Sequence, residues 1–427
     1  MLIKALLILL GLVALGVPIA ATLGWLALIL QHLDSPMPLY RALGDMIWQT
    51  GTDVLLVAIP MFVLLGEILL RAGIAGRMYD GIAAWLGWLP GGLMHANIGS
   101  SALFAATSGS SVATAATIGT VAMPEIGKRG YGPPLFLGSI AAGGTLGILI
   151  PPSINLILYG LLTDTSVPEL YLAGFVPGFL LAALFMVTVG LIALLRPGVD
   201  GERLRAGWTA RVRALPALLP PIGIFLVVVG SIYAGLATPT EAASLGVVAA
   251  LGLAAANRTL TLGMLRAAIE GTMRTTSMIM LIILAAVFLN FVLSVIGLTQ
   301  ALADAVTGLG LPPAGVMLMI IGVLLLLGCF METLSMLLTV APLVTPIVIA
   351  QGYDPVWFGI LLMVLLETAL ITPPIGINLY VVQGVRGEGA MLDVMLGAAP
   401  FVLAMLLMIA LLLLFPGLAL WLPAQIY

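Results

Sequence analysis

The sequence has little of several residue types that other protein classes depend on. It contains one cysteine and two histidines, and only 8% of its 427 residues are charged. Cys329 alone cannot form a disulfide framework, and His32 and His95 lie too far apart in sequence for metal-ligand spacing. A soluble domain carries roughly 25% charged residues, so a water-facing globular surface is excluded. A net charge of −3 spread over loops also argues against a nucleic-acid surface.

Hydrophobic residues make up 62% of the chain, which therefore predicts an all-α polytopic membrane protein. The apolar run at 5–30 is too long for the core of a signal peptide and is interpreted as the first crossing. At about 20 apolar residues per crossing, nine are expected. They are 5–30, 54–70, 133–163, 170–195, 214–234, 238–256, 277–297, 356–384 and 392–422.

Two further apolar stretches, 91–123 and 314–350, are each interrupted halfway by polar or glycine-rich sequence. The interruptions are Thr107-Ser108-Gly109-Ser110-Ser111 and Gly328-Cys329-Phe330-Met331-Glu332-Thr333. We expect each stretch to form a hairpin that enters the membrane and returns to the same side.

The chain also repeats itself, because residues 124–152 align with 346–374 at an offset of 222 without a gap. The matching pairs are Pro124/Pro346, Gly130/Gly352, Tyr131/Tyr353, Pro133/Pro355, Phe136/Phe358 and Pro151-Pro152/Pro373-Pro374, and Thr117/Thr339 extends the register. Two copies of a proline-broken apolar segment are the best sequence indication of a transporter binding site.

Loop charges predict that the two copies face opposite sides of the membrane. Loops at 71–77, 128–129, 196–213 and 258–274 are basic and are expected in the cytoplasm, whereas 31–38, 163–169 and 350–355 lack Lys and Arg. This assignment places the N-terminus in the cytoplasm and the C-terminus outside. An odd number of crossings, five, separates the two copies, so the halves are inverted.

The double prolines make main-chain oxygens available. Pro151 and Pro152 would release the carbonyls of Gly147 and Ile148, and the second pair those of Ala369 and Leu370. In hydrocarbon such a carbonyl must be satisfied by protein, water or an ion, and clustered oxygens suit a hard cation such as Na⁺ or H₃O⁺. Nearby polar side chains that could contribute are Thr145, Ser153, Asn155, Thr368, Thr372 and Asn378.

The hairpin tips supply groups of the opposite kind. At the 222-residue offset Ser110 aligns with Glu332 and Ser111 with Thr333, and each tip starts a helix whose free N–H groups suit an anion. The predicted substrate contacts are Ser110, Ser111, Thr145, Asn155, Thr333 and Asn378. The alternative for any one of these small polar residues is close helix packing.

At these motifs the chain resembles the large membrane subunit of TRAP transporters, the tripartite ATP-independent periplasmic carriers. The motifs that carry the resemblance are 108–119, 124–131, 150–153 with Tyr159-Gly160, 237–243 and 372–378. The resemblance implies Na⁺-coupled elevator transport of an organic acid across a bacterial or archaeal inner membrane. Candidate cargo includes a C4-dicarboxylate, sialic acid or a related carboxylate. It also implies a periplasmic substrate-binding protein and a separate, small four-helix membrane subunit as partners, with no nucleic acid.

The same resemblance implies Na⁺ positions between each tip and the matching broken helix. In the first half the implied residues are Ser108, Gly109, Ser110, Ser111, Gly143 and Gly147. In the second half they are Gly328, Cys329, Met331, Glu332, Thr368 and Thr372. The family often has Asp at the position of Glu332.

We expect the transport domain to comprise 91–163 and 314–384. The scaffold would comprise 1–90 and 164–313, and 385–427 would add a last transmembrane helix. The stretches 36–50 and 260–276 mix apolar and charged residues and are interpreted as interfacial arm helices. The tryptophans expected at the membrane interfaces are Trp25, Trp48, Trp85 and Trp88.

Intramembrane acids are usually functional or paired. Glu67 could pair with Arg71 at i+4, Glu241 could cap its helix, and Glu367 lies beside the proposed ion region. Asn290 is interpreted as a polar residue that joins two helices by a hydrogen bond.

Three other functions fit the sequence less well. A stand-alone divalent-anion/sodium symporter would be expected to show Ser-Asn-Thr at its tips, which this chain lacks. An intramembrane protease would need a catalytic motif such as Gly-x-Gly-Asp, which is also missing. A channel fits two closed, inverted hairpins less well than alternating access does.

Overall fold

The computed structural model describes residues 2–196 and 198–426, and they are overwhelmingly helical. The helices of the first half are α1 (Leu2–Ala14), α2 (Ile19–Asp34), α3 (Leu43–Gly51), α4 (Ala58–Arg71), α5 (Ile74–Leu86), α6 (Leu93–Ser108), α7 (Ser111–Arg129), α8 (Pro133–Thr145), α9 (Ile154–Thr163) and α10 (Val167–Leu195). Short 3₁₀ turns at Leu39–Ala42 and Val54–Val57 precede α3 and α4.

A short amphipathic helix and a 3₁₀ turn (Leu215–Ala217) lead into the second half. The helices are α11 (Trp208–Ala214), α12 (Leu219–Tyr233), α13 (Pro239–Ala256), α14 (Leu262–Val295), α15 (Leu298–Gly308), α16 (Pro313–Gly328), α17 (Thr333–Ala350), α18 (Pro355–Leu370), α19 (Ile377–Arg386), α20 (Met391–Leu414), α21 (Gly417–Leu420) and α22 (Pro423–Ile426).

The duplication extends over far more of the chain than the aligned motifs. Helices α1 and α2 correspond to α12 and α13, α3 and α4 together correspond to α14, and α5–α10 correspond to α15–α20. Helices α7 and α17 begin 222 residues apart, at Ser111 and Thr333. Helices α9 and α19 begin 223 apart, because the second copy has one extra residue between its prolines and its helix.

The two halves are antiparallel. The Tyr159 hydroxyl near the end of the first broken helix donates to the Pro355 carbonyl at the start of the second, at 2.7 Å. Trp357, also at the start of α18, donates its indole N–H to the Leu412 carbonyl at the end of α20, at 3.0 Å. Gly397 near the start of α20 instead touches Pro134 at the start of α8. Helices α8 and α18 therefore begin at opposite ends of α20, which confirms the predicted inversion.

Both hairpins and both broken helices are present as predicted. Helices α6 and α7 turn at Gly109, which adopts a left-handed conformation with φ of 60°. Helices α16 and α17 turn at 329–332, and the breaks fall at 146–153 and 371–376. One detail differs from expectation, because the Ser153 hydroxyl donates to the Ile148 carbonyl and so occupies an oxygen that we expected to be free.

The predicted single crossing at 5–30 is wrong. The chain turns back at 15–18, between α1 and α2, and Lys4 forms an ion pair with Asp34 at 2.7 Å. Gly16 has a φ of 71° there and Pro18 precedes α2, so the turn interrupts the helix. Lys4 and Asp34 consequently lie on one side of the membrane, whereas the prediction put the N-terminus and 31–38 on opposite sides.

The second arm is also not a separate helix. Residues 262–295 form the continuous 34-residue α14, about 51 Å long at 1.5 Å per residue, against a hydrocarbon core of about 30 Å. Within the described residues, six helices are long and apolar enough to cross a membrane alone, or seven spans with the bent α11–α12 pair. The broken helices fall below that length because each crossing is divided in two.

Two expected roles of intramembrane acids are confirmed. Glu241 forms a capping box with Thr238 at the start of α13, and Glu67 forms an ion pair with Arg71 at 2.9 Å. Asn290 donates to the Leu338 carbonyl at 3.4 Å. This hydrogen bond joins α14 to α17, as expected.

Candidate functional site

A cavity of about 420 Å³, with polar side chains set in a largely apolar lining, lies where the two hairpin tips meet. Its walls come from both tips, from the first helix break and from helices α4 and α14. The sequence-predicted residues that line it are Ser108, Gly109, Ser110, Ser111, Asn155, Glu332 and Thr333. The two tips, which lie 222 residues apart in sequence, therefore line one cavity.

The first tip packs directly on the first break. A Cβ built on Gly147 would lie 2.8 Å from the Ser111 nitrogen and 2.9 Å from the Ser110 carbonyl oxygen. Ser110 is the N-cap of α7, and its hydroxyl accepts the Ala113 N–H at 3.4 Å. The free amides at the start of α7 thus open onto the cavity, where they can bind an anion.

The second tip uses Glu332 as the N-cap of α17. One carboxylate oxygen accepts the Ser335 N–H and hydroxyl, both at 3.1 Å, and the other accepts the Thr333 hydroxyl at 3.2 Å. An N-cap position suits a carboxylate because it satisfies free amides and faces the positive end of the helix dipole. The longer Glu arm therefore curls back onto its own helix while it borders the cavity.

The contact between tip and break recurs in the second half. A Cβ on Gly328 would lie 2.7 Å from the Cβ of Ala369. Ala369 occupies the position that Gly147 holds in the first half, so the same point of each broken helix touches its own hairpin tip. The tip residue differs between the halves, because Gly328 aligns with Ala106 and not with Ser110 or Ser111.

Helices α4 and α14 form the remaining wall, which sequence reasoning missed. Val63, Gly66, Glu67, Leu70, Thr275, Met278 and Ile279 face the cavity from these helices. Gly66 lies close to Ser108, with a built Cβ at 3.4 Å from that residue, and Gly271 packs against the Glu67 carboxylate. The wall lies outside both repeated, proline-broken segments. The one sequence signal that could have indicated it is Gly66 next to the intramembrane acid Glu67.

Several predicted site residues lie outside this cavity. Thr145, Thr368 and Thr372 donate their hydroxyls to carbonyls of their own helical segments, at 2.8, 2.8 and 2.6 Å. Gly143 is buried against the Ser101 hydroxyl, and Asn378 donates to the Ala141 carbonyl at 3.1 Å. These residues lie in the breaks or in the adjoining turns of the helices.

Two predicted ligands at the second tip point elsewhere. Met331 lines a separate, apolar cavity of about 290 Å³ bounded by α1, α2 and α14–α17. The Cys329 thiol lies 3.4 Å from the Leu325 carbonyl and is directed back along α16. Any contribution of these two residues to a cation site would come from their main-chain atoms.

Glu367 is the most unusual acid in the described structure. Its side chain is 0% exposed, and neither carboxyl oxygen completes a hydrogen bond among the described residues. The Leu149 amide of the opposite break faces it, so this second-half side chain reaches toward the first half. Burial without a partner charge is costly for an ionised carboxylate.

The donor set indicates which cation could bind. No group of three or more His, Cys, Asp or Glu side chains converges among the described residues. Main-chain carbonyls and hydroxyls at the breaks are hard oxygen ligands, which suit an alkali or similar hard ion and not a transition metal. A buried hydroxyl without a hydrogen-bond partner among the described residues lies nearby, that of Ser101 beside Gly143.

Inverted halves, opposed hairpins and a shared cavity between them define a membrane transporter built from repeats. Residues 6–418 match the family model described as "Tripartite ATP-independent periplasmic transporter, DctM component". The chain belongs to this family of TRAP transporter large permeases, as the sequence motifs suggested.

The curated relatives agree with this assignment. The chain is 36% identical over 405 residues to the C4-dicarboxylate TRAP transporter large permease DctM of Pseudomonas aeruginosa, covering 94% of this chain and 92% of the relative. It is 32% identical to the sialic acid permease SiaM of Vibrio cholerae, covering 97% and 96%. It is also 32% identical to the ectoine permease TeaC of Halomonas elongata, covering 86% of each.

Among solved structures, the fold is similar to the Alcanivorax borkumensis YdaH transporter. The TM-score is 0.61 at 18% identity, and the match covers 95% of this chain and 97% of the other. This likeness supports the all-helical transporter fold. The named relatives are permeases, and membership of the family therefore indicates a role in transport.

Proposed function

We propose that this permease carries out Na⁺-coupled uptake of an organic acid by an elevator movement. The observation that carries the proposal is the cavity shared by the two tips, with helix N-termini for an anion and broken main chain for cations beside it. The membrane would be a bacterial or archaeal inner membrane.

The packing of the helices supports a division into a moving and a fixed part. The hairpins and broken helices pack with one another and with α10 and α20. Helices α2, α4, α12, α13 and α14 form a second group through the α2–α14, α4–α13, α4–α14 and α12–α13 contacts. The cavity lies between the two groups, so sliding one past the other would carry the bound cargo across.

The partners follow from the family. A periplasmic substrate-binding protein would deliver cargo to the periplasmic side of the permease. A small four-helix membrane subunit would pack against the scaffold helices. The relatives' names mention C4-dicarboxylate, sialic acid and ectoine, and these names support an organic acid as the proposed cargo class. Among the described residues, no lysine or arginine lines the cavity, and selectivity would then reside in the receptor.

Reconstitution tests this proposal. The permease, its small subunit and the receptor are placed in liposomes, and uptake of labelled C4-dicarboxylate, sialic acid and ectoine is measured with an inward Na⁺ gradient. Replacing Na⁺ by K⁺ should abolish uptake of whichever compound is carried. Undiminished uptake in K⁺ would refute sodium coupling, and full uptake without the receptor would favour the stand-alone symporter.

A further inference from the structure

Three tryptophans surround one arginine where α5 ends and α11 begins. The Trp85 indole N–H donates to the Arg211 carbonyl at 3.1 Å, and the Trp85 and Trp208 rings meet edge to face with centroids 5.7 Å apart. The Arg211 guanidinium lies over the Trp88 ring, 5.7 Å from its centroid. The cluster joins two helices that are more than 120 residues apart in sequence.

The cluster is open to its surroundings. Trp88 is 49% exposed and Trp208 is 68% exposed. The segment Trp208–Ala217 is bent by 46° from α12, so α11 does not continue the direction of that membrane helix. Exposed indoles beside arginines on a helix that leaves the direction of a crossing are typical of the membrane interface.

More arginines lie beside the cluster. A Cβ on Gly87 would be 2.9 Å from the Cβ of Leu204. The loop between α10 and α11 therefore lies against the end of α5. That loop borders a cavity of about 560 Å³ lined by Arg129, Glu202, Arg203, Leu204 and Arg205.

Local acids neutralise only part of this charge. Arg203 forms an ion pair with Asp200 at 2.7 Å, and Arg129 with Glu125 at 2.7 Å. The hydrogen bond from Arg129 lowers the pKa of Glu125, which keeps that acid ionised.

Arg205 and Arg211 have no ion pair with an acid within the described part of the chain. The Arg211 Nε is buried and makes no hydrogen bond there. The remainder of the half-buried Arg211 side chain lies over the Trp88 ring, next to the edge-to-face pair of Trp85 and Trp208. Arg205 is exposed, so the terminal N–H groups of both guanidiniums can donate to an anionic group.

We propose that Arg205 and Arg211, together with Trp88 and Trp208, form a binding site for the headgroup of an anionic phospholipid. A guanidinium donates to phosphate oxygens in a matching planar geometry, and indole rings sit at the headgroup level of a bilayer. Unpaired basic residues at the membrane surface attract anionic lipid in particular. Bound there, the lipid would tie the loop after α10 to α5 and α11.

The test uses full-length permease in nanodiscs of phosphatidylcholine with a minor fraction of phosphatidylglycerol. Native mass spectrometry counts the phosphatidylglycerol molecules retained after detergent extraction. The double variant Arg205→Gln/Arg211→Gln should retain phosphatidylglycerol at least about tenfold less well than wild type. The matched control, Arg258→Gln/Arg274→Gln, removes two arginines from another basic segment and should retain it like wild type.

A second variant guards against misfolding. Arg205→Lys/Arg211→Lys keeps both charges but loses the planar fork, so its retention should lie between wild type and the glutamine variant. If the control and the glutamine variant lost phosphatidylglycerol equally, retention would depend only on total positive charge, and the proposed site would be wrong. Displacement of the lipid by millimolar inorganic phosphate would show a free-anion site instead. Every readout is lipid retention, so the result is independent of the proposed transport function.

Discussion

The Pro152 carbonyl oxygen lies directly against Gly109, so that a Cβ built on Gly109 would approach it to 2.7 Å. The glycine is the turning residue of the first hairpin, with φ of 60°, and the proline belongs to the first helix break. A residue with a side chain would therefore separate the tip from the break that it covers.

We expect Gly109→Ala to abolish Na⁺-dependent uptake. Left-handed backbone costs alanine about 1–2 kcal/mol, and the added methyl group must displace Pro152 as well. Gly130→Ala is the matched control, since Gly130 has φ of 67° but nothing within 4 Å of a built Cβ. Both variants should lose similar thermal stability, measured by scanning fluorimetry, whereas only the first loses uptake. Uptake at the wild-type rate by Gly109→Ala would show that transport does not depend on the close contact between Gly109 and Pro152.

A bulky residue at Ser110 or Thr372 should block uptake while expression and assembly remain normal. Ser110→Leu fills the cavity at the start of α7, and Thr372→Leu removes the hydroxyl that donates to Thr368 at the second break. Thr120→Leu is the control, because that exposed hydroxyl on α7 bonds only its own helix at 2.8 Å. Na⁺-dependent uptake surviving in both test variants would remove these residues from the site.

Glu367→Gln should fold and transport at least as well as wild type. Glutamine keeps the shape of the buried side chain and leaves its amide oxygen beside the Leu149 amide, without an ionisable group in an apolar interior. Glu367→Ala should lower the free energy of unfolding by about 2–4 kcal/mol, because it leaves a cavity. The midpoint of thermal unfolding compares the stability of the two variants, and liposome uptake measures transport by Glu367→Gln. Loss of uptake in a stable Glu367→Gln protein would instead assign the carboxylate a direct role.

Gly397→Ala should destabilise the packing of α20 on α8. A Cβ on Gly397 would overlap the Pro134 carbonyl, and one on Gly138 would overlap the Gly397 carbonyl. Overpacking of this kind costs about 1–3 kcal/mol. Gly230→Ala on α12 meets nothing within 4 Å and should be neutral or stabilising. Equal unfolding midpoints for the two variants would contradict the close approach of the helices.

Labelling should find Tyr131 and Tyr353 on opposite faces of the membrane. In a Cys329→Ala background, single cysteines at the two positions are treated with a membrane-impermeant maleimide from either side. A cysteine at Lys4 should be labelled from the same side as one at Asp34, because the two residues form an ion pair. Labelling of Tyr131→Cys and Tyr353→Cys from one side would be incompatible with inverted halves.

Local signals account for what sequence reasoning predicted correctly. The double prolines at 151–152 and 373–374 break their own helices, and the Thr238–Glu241 capping box and the Glu67–Arg71 pair need only neighbouring turns. The 5–30 crossing failed because hydrophobicity does not distinguish one long helix from two short antiparallel ones. The arm at 260–276 failed because nothing in its composition marks where a continuous helix enters the membrane.

By itself the sequence determined the membrane environment, the two hairpins, the helix breaks and their relation by duplication, since each depends on the solvent preference or backbone chemistry of short segments. Only the tertiary structure decided that α4 and α14 complete the cavity, that Glu367 faces the opposite break, and that Gly397 meets Pro134. Those contacts join residues that are far apart in the chain, and their distances arise from the packing of all the helices at once.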